Sequence, residues 1–286
     1  MEVRTHDDPA SWLVAVLPLL LLDEARHDLH LGLAHTLVHH PAVYPSKNLW
    51  SVEDAGTVVG AALQTPPHNL VLAQPTAEGA NDLLADAIGS AGIHLPGVIG
   101  GLPEADAFAS AWCAGTGDSA RRVMGQGIYA LTELHGVPAA AGTPRTATTH
   151  DLELIESWIQ AFEDEVVPDA LRNDPRERRN RLETILGSDE GGIWLWEVGG
   201  QVVSLSGFGG PTPNGIRIGP VYTPPEHRGR GYATTLVADL SRHQLTGGRR
   251  FCFLHTDLAN LTSNAIYVRI GYRRVCDSVV LAFEAG

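Results

Sequence analysis

Val221-Tyr222-Thr223-Pro224-Pro225-Glu226-His227-Arg228-Gly229-Arg230-Gly231-Tyr232-Ala233 joins three kinds of local structure in a fixed order. The apolar run 216–222 reads as a strand, Pro224-Pro225 as a turn, and the residues from Tyr232 onward as a helix. Gly229 and Gly231 allow a tight turn that points several backbone N–H groups inward. The helix that follows adds the positive end of its dipole. Arg228 and Arg230 add formal charge and forked donors. A loop of this kind is an anion site, and a diphosphate is the natural guest.

The rest of the composition limits what accompanies that site. A chain of 286 residues makes one large domain or two of roughly 140 residues each. Hydrophobic residues are 44% and charged ones 19%, enough apolar material for a sizeable core. The net charge of −13 argues against an extended nucleic-acid footprint. Cys113, Cys252 and Cys276 are odd in number and form no CxxC pair, so reduced cysteines and a cytoplasmic location are expected. Cys252 lies in an apolar run and reads as core. The apolar run 13–22 contains Pro18 and is too short to span a bilayer, and acidic residues precede it, unlike a signal peptide. It reads as buried helix, with no membrane association.

The proline-containing stretch 139–149 reads as a linker, between a domain over 1–138 and a second over 150–286. In the second, Leu152, Ile155, Ile159 and Phe162 recur at helical spacing. A charged helix over 175–186 follows. Segments 193–198 and 201–206, joined by Gly199-Gly200, form a hairpin. Then come the strand 216–222, the anion loop, a helix over 232–245, an apolar strand over 250–255, a helix over 260–270, and strands over 272–275 and 278–283. A helix connects strands 216–222 and 250–255, so they are expected to be parallel. The first domain repeats this order more faintly, with Gln74-Pro75-Thr76-Ala77-Glu78-Gly79-Ala80 in place of the Arg/Gly loop. The fold class is α/β, with a mixed twisted sheet and flanking helices.

Two motifs in the right order resemble the GNAT N-acetyltransferase superfamily. One is Arg228-Gly229-Arg230-Gly231-Tyr232-Ala233, similar to the family's Arg/Gln-x-x-Gly-x-Gly/Ala loop. The other is Asn260-Leu261-Thr262-Ser263-Asn264-Ala265-Ile266-Tyr267, continued by Ile270-Gly271-Tyr272, which looks like the family's Asn-x-x-Ser/Ala…Tyr…Gly-Phe/Tyr helix. The resemblance is strongest over 193–284. The first domain resembles a degenerate copy, which makes the chain a tandem protein of two GNAT-like sheets.

That resemblance implies acetyl-CoA as acyl donor. Its pyrophosphate would sit on backbone N–H groups from Arg228 to Ala233 and on the Thr234 hydroxyl. The strand end at Val221, Tyr222 and Thr223 would pair with the pantetheine arm, as an added strand does. Asn260 and Ser263 would border the cofactor, and Tyr267 would protonate the leaving thiolate. The family's strand Glu is replaced by Arg217, which cannot act as a base. Glu197, His255 and solvent remain as proton acceptors. No metal is implied: the histidines at 27, 30, 35, 39 and 40 lack a regular ligand pattern and read as a solvated helix end. The acidic run 163–165 reads as a solvated helix end, or as a lure for a cationic amine.

The leading reading is transfer of an acetyl group to the primary amine of a small molecule, such as an amino acid, a polyamine or an amine antibiotic. The second is a non-catalytic acyl-CoA-binding or sensing module. The first domain is expected to wall the acceptor pocket or to form a homodimer surface.

Overall fold

The computed structural model of the chain describes residues 1–168, 172, 174–188 and 190–286. Its residues gather into two compact units, Met1–Gly127 with Cys276–Gly286, and Ile128–Val275.

The first unit begins with β1 (Glu2–His6), α1 (Pro9–Leu20) and α2 (Asp28–His39). Then follow β2 (Asn48–Asp54), β3 (Thr57–Gln64), β4 (Leu70–Leu72), α3 (Ala80–Ser90), β5 (Gly97–Gly101), α4 (Glu104–Thr116) and β6 (Ser119–Leu131). Strands β1 to β4 pair antiparallel in succession, and β4 pairs parallel with β5. Strand alternation places Leu70 and Leu72 against α3 and α4, where Leu84, Ile88, Phe108 and Trp112 are buried. Val71 faces the other way, into the cluster of Trp12, Val16 and Leu20 from α1 and Leu31 and Leu37 from α2. Of the run 13–22, read as buried helix, Val16, Leu19 and Leu20 are buried, whereas Val14, Pro18, Leu21 and Leu22 face solvent.

The second unit has β7 (Thr143–Thr146), α5 (Leu152–Val166), α6 (Pro175–Leu186), β8 (Gly192–Val198), β9 (Gln201–Gly209) and β10 (Gly215–Tyr222). It continues with α7 (Tyr232–Thr246), β11 (Phe251–Asp257) and α8 (Leu261–Ile270), and the chain ends with β12 (Arg273–Glu284), which from Cys276 onward belongs to the first unit. Strands β7 to β10 pair antiparallel, and β10 pairs parallel with β11, as expected from the helix between them. Val237, Leu240 and Ile270 cover one face of this sheet over Ile216, Ile218, Cys252 and Leu254. Ile155, Ile159 and Leu182 cover the other over Ile193, Leu195 and Leu205. Apart from short 3-10 turns, the order strand, two helices, three strands, helix, strand, helix, strand occurs twice.

Three features depart from the sequence reading. The stretch 139–149, read as a linker, contains β7. Its Pro144 sits opposite Trp196 on an edge strand, where a missing N–H costs no ladder bond. The two segments expected over 272–283 form one strand, β12. Residues 278–282 of that strand pair antiparallel with β5, so the end of the chain completes the first unit. Residues 128–138 belong to the second unit, where Tyr129 and Leu131 join its core. The histidines also divide: His27 and His30 are buried rather than solvated. The His27 ring donates through Nδ1 to the Leu20 carbonyl and accepts from the Gln74 N–H at Nε2.

Candidate active site

β10 and β11 are in register at Gly215–Phe251, Ile216–Cys252 and Arg217–Phe253, and their pairing stops there. Beyond that point β10 shifts its register against β9 between Ile218 and Val221, a bulge that holds Gly219 and Pro220. Two strands that begin parallel therefore part before Val221. Of the strand-end residues, Tyr222 is buried in the core, and its carbonyl accepts from the Ser204 hydroxyl. The Thr223 hydroxyl shares a hydrogen bond with Ser204, and the Thr223 carbonyl accepts from Arg228 Nε at 2.8 Å. Both carbonyls are engaged, so of the three strand-end positions expected to meet a pantetheine arm, Val221 is the one whose backbone no side chain among the described residues holds.

The loop follows the sequence expectation in its backbone. A 3-10 turn (Pro225–His227) leads to Gly229 at φ +76° and Gly231 at φ +81°, left-handed conformations that favour glycine. Gly231 is the N-cap of α7, and no side chain among the described residues caps that helix end. The N–H groups of Tyr232, Ala233 and Thr234 thus lie in the first turn of a helix whose orphan donors are left for a ligand. Tyr232 packs under the loop with Trp196 and Leu236, and Thr234 is buried.

The two arginines of the loop differ. The Arg230 guanidinium is exposed and, among the described residues, reaches only the Glu226 carbonyl, at 3.4 Å. That of Arg228 makes a two-oxygen contact with Glu165 at the end of α5, at 2.7 and 2.8 Å, and lies over the Tyr222 ring. Tyr222 Oη donates to Glu165 as well. Arg228 therefore ties the loop to α5.

α8 brings the second motif to the same unit. Asn260 is its N-cap: Oδ1 accepts from the Ser263 N–H at 3.0 Å. Tyr267 is half-buried, its ring edge-on to Tyr272, and its hydroxyl has no hydrogen-bond partner among the described residues. Burial alone pushes that hydroxyl up to about 12. Tyr272, by contrast, shares a bond with Ser241. Cys252 is fully buried and its thiol is pushed up to about 12 by desolvation, unsuited to a nucleophile.

The other proton acceptors read from the sequence are separated. Glu197 accepts from Arg145 Nε, and the rest of that guanidinium holds Asp151. It lies on β8, with β9 between it and β10. His255 sits on β11 two residues past the last paired position, on the face opposite Cys252 and Leu254. Arg217, the replacement for a strand Glu, is level with Phe253 at the point of parting.

On the α5 and α6 face, a cavity of about 290 Å3 opens beside the bulge, with Gly219 and Pro220 in its wall. Ile159, Phe162, Leu182 and Ile185 supply much of its apolar lining. Glu163 and Arg178, both buried, form an ion pair there. Of the acidic run 163–165, Asp164 and Glu165 are exposed at the helix end, as read from the sequence, and pair with Arg172 and Arg228, whereas Glu163 is internal. The signal was in the spacing, since Glu163 follows Ile159 by four and Arg178 precedes Leu182 by four, each sharing a buried helix face.

In the first unit, groups at the ends of β4 and β5 are committed within the chain. Gln74, just past β4, gives its N–H to His27. The Arg26 guanidinium packs against Gly101 at the end of β5, where an added Cβ would meet it at 2.6 Å. Glu104 and the Leu102 carbonyl hold it there.

Residues 153–272 match the sequence model described as acetyltransferase (GNAT) family. No curated protein matches the chain by sequence. Among solved structures, a GNAT-family acetyltransferase from Colwellia psychrerythraea is similar over the whole of both chains, at 15% identity and a TM-score of 0.59. A tandem GNAT protein from the clavulanic acid biosynthesis pathway is 15% identical with a TM-score of 0.58, covering 99% of this chain and 98% of that one. A Drosophila protein is 11% identical with a TM-score of 0.70, again over 99% and 98% of the two chains. Such identities speak for the fold, and the fold is that of two GNAT copies in one chain. The parted parallel strands, the left-handed glycine loop and the match over 153–272 together make this stretch a GNAT-family acetyltransferase domain.

Proposed function

We propose that the chain transfers an acetyl group from acetyl-CoA to the primary amine of a small molecule. The observation that carries this reading is the parting of β10 and β11 after Arg217 and Phe253, directly ahead of an uncapped helix N-terminus. The pyrophosphate takes the N–H groups of the loop from Gly229 through Thr234, with Arg230 as the nearby free-standing charge. Asn260 and Ser263 shape the cofactor side of α8. The pantetheine arm runs along Val221, and the thioester carbonyl lies against its backbone, which stabilises the oxyanion.

The amine nitrogen attacks the thioester carbon, and a tetrahedral intermediate forms. Its collapse breaks the carbon–sulfur bond. Tyr267 gives its proton to the leaving sulfur, a role that suits a hydroxyl kept protonated by burial and making no hydrogen bond among the described residues. The nitrogen loses its proton to water or to His255 at the mouth of the opening. Glu197 is less suited, because Arg145 holds its carboxylate. The products are the amide and free CoA.

The engagement of Glu197 favours one second reading, an acyl-CoA-binding module without turnover. A thiol-release assay over a panel of amines separates the two. Amine-dependent release of CoA is expected. Tight acetyl-CoA binding with no release by any amine would establish the binding module instead.

A further inference from the structure

Resting on the acyl-transfer reading, we propose that the acceptor is an amine that also carries a carboxylate and an apolar side chain, an α-amino acid or close analogue, with Arg178 as the residue that selects the carboxylate. The cavity beside the bulge is the basis. Its wall includes Gly219 and Pro220, the residues immediately before Val221, so a molecule filling it abuts the strand segment assigned to the thioester.

The size, the walls and the charges each narrow the acceptor. About 290 Å3 lies at the small end of ligand pockets, which suits a compact molecule better than a multi-ring amine. Ile159, Phe162, Leu182 and Ile185 offer a surface for an aliphatic or aromatic side chain. Into this apolar space the protein places Glu163, Arg178 and Arg181, and Glu163 and Gln160 already hold two of the Arg178 nitrogens. A zwitterion presents the opposite arrangement: its carboxylate meets the guanidinium, and its ammonium meets Glu163. Arg178 is only 7% exposed, and its Nε–H has no hydrogen-bond partner among the described residues. A buried donor left unmade is costly, and a bound carboxylate supplies the missing acceptor. A polyamine has no carboxylate to supply that acceptor.

The test compares each amino acid with the same molecule lacking its carboxylate: leucine with isoamylamine, phenylalanine with phenethylamine, and spermidine as the cationic control. Thiol release is read in parallel with calorimetric binding. The amino acids are expected to exceed their decarboxylated partners in kcat/KM by at least about tenfold, the scale of a charged hydrogen bond. Arg178→Lys keeps the charge beside Glu163 but loses the fork. It is expected to raise KM for leucine and phenylalanine at least about tenfold, leaving phenethylamine nearly unchanged. If that variant does not fold, the comparison of acceptors on the unaltered protein still decides. Equal or better use of the decarboxylated amines or spermidine overturns the assignment while leaving acyl transfer intact. If no amine releases CoA, acyl transfer itself fails. Calorimetry then decides alone: binding of leucine or phenylalanine, but not of their decarboxylated partners, upholds the cavity assignment, and absence of binding overturns it.

Discussion

The guanidinium of Arg228 meets both carboxylate oxygens of Glu165, 2.7 and 2.8 Å away, while its Nε donates to the carbonyl of Thr223. An arginine of the glycine-rich loop thus spends its fork on the protein. The loop is fastened through it to the end of α5 and to the strand end at Tyr222 and Thr223.

Two variants separate this fastening from a phosphate contact. With Arg228 acting through Glu165, Glu165→Gln and Arg228→Ala should each raise the acetyl-CoA Kd by a similar small factor. The pair is partly exposed, so about threefold is expected. If Arg228 gripped phosphate, Glu165→Gln would release it and tighten binding. Calorimetry with CoA reads the difference in sign.

Gly231→Asp should weaken binding far more than it changes stability. An added Cβ meets only Ala140 at 3.9 Å, so space is available, and aspartate tolerates the left-handed conformation better than most residues. Its charge favours the N-terminus of α7 but repels a diphosphate. The melting temperature should change little, whereas the Kd for CoA should rise at least about tenfold, as one such repulsion in a helix-terminal site predicts.

Tyr267→Phe removes a hydroxyl that makes no hydrogen bond among the described residues. Stability should stay within about 0.5 kcal/mol, and CoA affinity should be unchanged. The rate constant kcat should fall about a hundredfold, the usual share of a positioned general acid. Full turnover in this variant would remove the acid role.

Acid stability has one assignable contribution. The carboxyl of Asp151 is held at about 2, below its ordinary 3.8, chiefly by hydrogen bonds from Arg145. A carboxyl depressed in the folded state stabilises above its unfolded value, and that stabilisation is lost as pH falls from about 4 through about 2. The shift corresponds to about 2 kcal/mol. Urea titrations across this range should show Asp151→Asn less stable near neutrality and correspondingly flatter in acid.

Calorimetric titration should also return one equivalent of acetyl-CoA per chain. The first unit has its Gln74 N–H committed to His27 and Arg26 packed against Gly101 at the end of β5. Two equivalents would mean that these groups give way to a ligand.

Much of the second unit was legible because its signals are local. α6 spans 175–186, the range read from sequence, and Asp174 caps it ahead of Pro175. The backbone of the loop 228–233 was legible for the same reason: two glycines at adjoining turns announce their φ angles. The edge strands β1 and β7 were not, since Glu2–His6 is mostly polar and Pro144 mimics a linker. Nor could the partner of Arg228 be read, because Glu165 lies sixty-three residues earlier. Charge was visible in the sequence, but pairing is a property of the packed chain. Glu163 is the intermediate case, where helical spacing from Ile159 indicated burial but the charge argued for solvent.

The last strand has a consequence for how the protein is made. Residues 278–282 are the partners of β5, a strand made roughly 180 residues earlier in synthesis, since Ser278 pairs with Gly101 and Ala282 with Gly97. Domains ordinarily fold in the order in which they leave the ribosome. Here the first unit must wait with one side of β5 uncovered until nearly the whole chain has emerged. Every residue assigned to acyl-donor binding is translated before the first unit can close. A premature stop after Val275 would therefore leave the site residues of the second unit encoded and injure the first.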